Sequence, residues 1–231
     1  MSQRGTGMSV GDDDIGESEL SVIMTPQQPG EVGRSAVPAR EARCQQPVEV
    51  SMGKVVLDMT MSVDGCIAAA DGGPAGLHDW FFAPSPESQA IVEELQRSMG
   101  AMVMGRRTYD QGASQDGFAD NPFPVEHFVV SHSTPEQAAK GDTVFHFIPD
   151  VAEAVRRAQA AAGEREVIIG GGAQLAQQCL AAGLVDEMRL AVRPLVIDGG
   201  IKLFDATALR LENIGVIDTP EATHLRFRIL R

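Results

Sequence analysis

From Lys54 onward, apolar residues gather in short unbroken runs that alternate with stretches whose apolar positions recur every three or four residues. Unbroken runs mark strands buried on both faces, and the wider spacing marks helices with one buried side. Val55-Val56-Leu57 reads as the first strand. Ser85-Pro86-Glu87 supplies a cap and a first-turn proline for a helix whose inner face is expected at Ile91, Leu95 and Met99. Further strands are expected at 101–104, 127–131, 144–147 and 167–169. Thr134-Pro135-Glu136-Gln137 has the spacing of a capping box, Asp150 with Glu153 opens a helix running to Ala162, and Gly163 is positioned to end it.

After a helix at 173–182 closed by Gly183, the pattern changes. Residues 185–197, 209–217 and 223–230 read as strands with no helix between them, so this end of the sheet should be antiparallel. The order predicts an α/β fold with one mixed, mainly parallel sheet, helices on both faces and antiparallel C-terminal strands. Residues 1–52 contain no aromatic residue and mix glycines, prolines and scattered charges. So little apolar surface cannot offset the entropy of ordering, so this segment is expected to be a disordered tail, with the folded domain at 53–231 beginning near Met52.

The 231 residues carry a formal net charge of −13, which argues against nucleic acid as a partner, because phosphate binding needs a basic surface. No apolar run approaches the roughly 18 residues of a membrane span, and three widely spaced cysteines suggest neither a disulfide framework nor a zinc site. The expected setting is the cytoplasm. The five histidines show no metal-ligand spacing, so no metal is expected.

Three segments could carry chemistry. Val167-Ile168-Ile169 runs through Gly170, Gly171 and Gly172 into Ala173-Gln174-Leu175: a strand entering a helix across three glycines, which suits an anion or a tight structural turn. It is not the Rossmann fingerprint, whose third glycine would fall at Leu175. Met102-Val103-Met104-Gly105-Arg106-Arg107-Thr108-Tyr109 repeats the junction with added positive charge, suited to phosphate or to surface carboxylates. Thr60-Met61-Ser62-Val63-Asp64-Gly65-Cys66-Ile67-Ala68, with the glycine-rich loop at 71–76, reads as a strand, a turn and a lid.

Taken in order with Gly183-Leu184-Val185-Asp186-Glu187, Pro194 and Gly199-Gly200-Ile201-Lys202-Leu203-Phe204, these motifs resemble the dihydrofolate reductase-like superfamily. The likeness is strongest to the branch containing the C-terminal reductase domain of the riboflavin-biosynthesis enzyme RibD, here standing alone over residues 54–231. The resemblance implies an NADPH-dependent reductase of the 5-amino-6-(5-phosphoribosylamino)uracil reductase type. Thr60 and Ile67 would border the nicotinamide, while Gly105, Arg106, Arg107 and Thr108 would hold the ribose phosphates and diphosphate. Ser131 and His132 would flank the adenosine end, and Gly170, Gly171, Gly172, Ala173, Gln174 and Leu175 would cradle the diphosphate.

Asp64 and Trp80 are the expected substrate contacts. His78, Asp79 and Glu87 are the candidates for proton delivery, and Arg97 is a further candidate counter-charge for a substrate phosphate. Alternatives left open are a pterin, dihydrofolate or quinone reductase on the same scaffold and a non-catalytic NADP-binding module. A homodimer is expected from the apolar C-terminal strands.

Overall fold

The computed structural model describes residues 52–135, 139–205 and 208–231. The expected tail, apart from Met52, and the capping-box residues Glu136 and Gln137 lie outside the described residues. In chain order the elements are β1 (Val55–Ser62), β2 (Cys66–Ala68), α1 (Asp79–Phe82), α2 (Pro86–Ser98), β3 (Met99–Gly105), α3 (Arg106–Ser114), β4 (Glu126–Val130), β5 (Phe145–Ile148), α4 (Val151–Ala162), β6 (Glu166–Ile169), α5 (Ala173–Ala181), β7 (Glu187–Arg193), β8 (Ile201–Lys202), β9 (Arg210–Asp218) and β10 (Thr223–Leu230).

Eight of the strands form one sheet in the order β5-β4-β3-β6-β1-β7-β10-β9. The first six positions are parallel, and β10 pairs antiparallel with both β7 and β9, as the strand-only tail of the sequence predicts. Central strands lie in the middle because they are apolar on both sides: Val55, Val56 and Leu57 of β1 and Val167, Ile168 and Ile169 of β6 are all buried.

One face packs Leu57, Val103 and Ile169 against Ala154 and Ala158 of α4 and Ala176 and Cys179 of α5. Burial pushes the Cys179 thiol up to about 12, as befits a small core side chain. The other face packs Val56, Met99 and Ile168 with Leu95 of α2, and Met104 and Val129 with Tyr109 of α3. Ser85 and Asp150 cap α2 and α4 through their side chains, and Gly163 (φ +62) and Gly183 (φ +65) follow α4 and α5.

Two sequence expectations need correction. Ile91 and Leu95 pack inward as expected, half-buried beside the buried Val92 and Ser88, but Met99 begins β3 instead of continuing the helix. The helix stops at Ser98, and Gly100 in β3 meets α4 closely: a Cβ there would lie 2.7 Å from that of Ala162. The strand expected at 185–197 covers only Glu187–Arg193, and Pro194 follows it. Downstream, Ile201–Lys202 pairs with β2 in a two-stranded ribbon that no hydrophobic run signals.

Candidate functional site

β3 and β6 are parallel neighbours, so the helices that follow them start on the same rim of the sheet. The N–H of Gly105 donates to the carbonyl of Gly171 at 3.1 Å, and the N–H of Gly170 donates to Val103 at 3.1 Å. Gly171 and Gly172 adopt φ values of +152° and +94°, where side chains are strained. A Cβ on Gly171 would lie 2.8 Å from Thr108 Oγ1, so the missing side chain lets the two junctions close into one floor.

Unlike α2 and α4, helices α3 and α5 start from Gly105 and Gly172 with no side-chain cap. Their first-turn N–H groups, at the positive ends of two helices, are thus left open to an anion on a shared rim.

Arg106 is the first residue of α3, directly after Gly105. Its Nη1 donates to Ser131 Oγ at 3.2 Å and to the carbonyl of Ser133 at 2.9 Å, while Nε pairs with Asp110 at 2.7 Å. The arginine therefore ties α3 to the exit of β4. Arg107 is exposed and runs alongside Gly72 of the glycine-rich loop, whose carbonyl accepts from Gln111 Nε2 at 3.0 Å. His132 and Gln174 are exposed, Ala173 is half-buried, and the Leu175 side chain belongs to the main core.

On the β1 side, Thr60 is nearly buried and its Oγ1 accepts from Trp80 Nε1 at 3.0 Å, which seats α1 on the sheet. Trp80 also meets the ring of His224 edge-on, with centroids 4.8 Å apart. Ile67 is half-buried in β2.

The Asp64 carboxylate is taken up by the fold. It accepts from Ser62 Oγ at 2.6 Å, from the N–H of Ile197 at 3.0 Å and from Lys202 Nζ at 2.9 Å, and these bonds hold it far below the usual carboxylate range. It locks the β1–β2 turn to the β7–β8 loop. His78 caps nothing with its side chain, and desolvation, opposed by Asp79, draws its imidazole below the ordinary value. Asp79, Glu87 and Arg97 are exposed on α1 and α2.

Sequence reasoning missed a polar band on the α2 side of the sheet. Asp58 of β1 stands opposite Arg189 of β7, which stands opposite Arg226 of β10. Arg189 Nη2 donates to Glu166 Oε1 at 2.6 Å, and Arg226 donates through both terminal nitrogens to Glu94 of α2. Burial raises Asp58 to about 6, with the Arg189 charge opposing. The available signal was a charge at the middle of each strand, as in Val-Val-Leu-Asp-Met-Thr, which by itself reads as a solvent-facing position.

The family described as RibD C-terminal domain matches residues 53–225. The chain belongs to this family. It is 26% identical over 163 residues to the uncharacterized protein YwjB of Bacillus subtilis (strain 168), covering 69% of this chain and 89% of that one. Its fold is similar to a putative riboflavin biosynthesis protein from Shewanella sp. PV-4, with TM-score 0.64, 24% identity, and 77% and 99% of the two chains covered. A dihydrofolate reductase from Enterococcus faecalis complexed with NADP(H) is similar at TM-score 0.51 and 17% identity, over 78% of this chain and 98% of that chain. The expected dihydrofolate reductase-like architecture is therefore the one observed.

Among the described residues, no helix of this RibD C-terminal domain is long and apolar enough to cross a membrane, and no group of three or more His, Cys, Asp or Glu could hold a metal ion.

Proposed function

We propose that this protein is an NADPH-dependent reductase acting on a small heterocyclic substrate of the ribosylaminopyrimidine type. The observation that carries the reading is the contact between Gly105 and Gly171, which joins two uncapped helix starts into one floor on the rim of a parallel sheet. Family membership and the NADP(H) complex of a similarly folded protein support it.

The residues present fit such a cofactor. Gly171, Gly172 and the first-turn N–H groups of α3 and α5 would hold the diphosphate. Arg106, already oriented by Ser131 and Asp110, would meet the 2′-phosphate of NADPH. Thr60 and Ile67 would line the nicotinamide end. When bound, NADPH supplies the hydride. The loop at 71–76, tied to α3 by Gln111, excludes water from the cleft. His78, Asp79 and Glu87 remain the candidates to deliver the proton. The cytoplasm is the compartment that suits this chemistry, and the exposed Leu211, Val216 and Leu230 of β9 and β10 suit a homodimer.

Titration of the full chain with NADPH, followed by oxidation assays over ribityl-pyrimidine, dihydropterin and quinone substrates, tests the proposal. Tight binding with turnover of the pyrimidine is expected. Binding without turnover of any substrate would favour a non-catalytic module.

A further inference from the structure

The face of β1 beneath α2 should by its position be apolar, yet it presents Asp58 and Thr60 in succession. Asp58 lines a small cavity of about 30 Å³, partly open to solvent, with Trp80, Glu94, Arg189, His224 and Arg226. That is room for about one or two water molecules. Three carboxylates, Asp58, Glu94 and Glu166, meet two guanidiniums here. Arg189 gives its short bond to Glu166 and Arg226 gives its pair to Glu94, so Asp58 feels both only as neighbouring charges. One Glu166 oxygen, Oε2, is itself buried without a partner. Asp58 is thus the carboxylate that neither guanidinium bonds, and it lines the cavity together with Trp80 and Glu94.

We propose that Asp58 is a positioning residue for the candidate site: its charge state governs how Trp80 is seated, and through the indole bond how the Thr60 hydroxyl is held. The inference rests on the reading of Thr60 as the nicotinamide end of the cleft. Ionised, Asp58 draws Arg189 and Arg226 toward the cavity and keeps its wall polar. Protonated, it leaves the two arginines to Glu166 and Glu94 alone, and the wall against the indole becomes neutral. The groups that face Asp58 are Arg189 from β7, Arg226 from β10, Glu166 from β6 and Glu94 from α2, with His224 from β10 and Arg97 from α2 nearby. Burial, the largest influence on the Asp58 carboxyl, sets the change near pH 6.

The chain has one tryptophan, so its emission reports on Trp80 without interference. Emission of the full-length protein, recorded from about pH 5 to 8, should titrate with a midpoint near 6. The transition should vanish in Asp58→Asn and persist in His224→Asn, the variant that removes the other titratable group against the indole. A flat wild-type profile, a transition that survives Asp58→Asn, or one abolished by His224→Asn would overturn the proposal. Near-ultraviolet circular dichroism checks that both variants are folded.

A second measurement addresses the site. The ratio of wild-type to Asp58→Asn affinity for NADPH should change severalfold across pH 6, because the cofactor's own phosphate titrates equally in both proteins. A ratio constant with pH would overturn the link to Thr60. If the emission titrates as expected and NADPH binds neither protein at any pH, the reductase reading fails while the charge-governed seat of Trp80 stands.

Discussion

The backbone N–H of Gly105 donates to the carbonyl of Gly171 at 3.1 Å, so two strand-to-helix junctions lying 66 positions apart in the sequence form one surface. Adding one carbon at Gly171 should disturb both. Its Cβ would fall 2.6 Å from Thr108 Cγ2 at a backbone angle of +152°. Gly171→Ala is expected to destabilise the fold by about 1–3 kcal/mol. It should also weaken NADPH binding, and denaturant unfolding with a parallel titration checks both. Unchanged stability would mean that the floor relaxes freely.

Arg106 is held by Ser131, Ser133 and Asp110 before any ligand arrives. Arg106→Ala should weaken NADPH by on the order of tenfold or more, through loss of a charged hydrogen bond, and NADH far less. Isothermal titration with the two cofactors measures the difference. An equal loss for both would reject the 2′-phosphate role.

The Asp58 carboxyl is raised from 3.8 to about 6 in the folded protein. The unfolded chain therefore loses this proton first as pH rises, and stability falls between about pH 4 and 6. Asp58→Asn, which does not titrate and leaves two carboxylates facing two guanidiniums, should be more stable than the wild type above pH 6. The gain should reach up to about 3 kcal/mol and shrink toward zero below pH 4. Urea unfolding at about pH 4, 6 and 8 checks the sign, since a destabilised variant at pH 8 would contradict it.

Thr60 accepts the indole N–H of Trp80 at 3.0 Å in a nearly buried setting. Thr60→Val keeps the shape and leaves that donor unsatisfied, which should destabilise by about 1–3 kcal/mol. Trp80 emission should shift as α1 loosens, and an unaltered spectrum would show that α1 is held by packing alone.

The sheet was legible in the sequence where the chain is apolar on both sides, as in Val55-Val56-Leu57 and Val167-Ile168-Ile169, because only a central strand tolerates such a run. Helix starts were legible where a side chain caps them, at Ser85 and Asp150. The glycine junctions could be read as strand-to-helix turns, but their meeting could not, since it depends on β3 and β6 being neighbours. Met99 continues the helical spacing of Ile91 and Leu95, yet it begins β3, where Gly100 meets α4 closely.

The partners of Asp64, expected as a substrate contact, include Ile197 and Lys202 more than a hundred positions away, so its tie between the two loops could not be read from the sequence. The polar band stayed hidden for the same reason: Asp58, Arg189 and Arg226 each look solvated until the sheet aligns them under α2.

Titration of the full chain with NADPH and with NADH, read by nicotinamide fluorescence, bears most directly on the shared groove. One saturable site per chain, tighter for NADPH and weakened by Gly171→Ala, is the predicted result. No saturable binding of either nucleotide, or binding indifferent to both Gly171→Ala and Arg106→Ala, would contradict it.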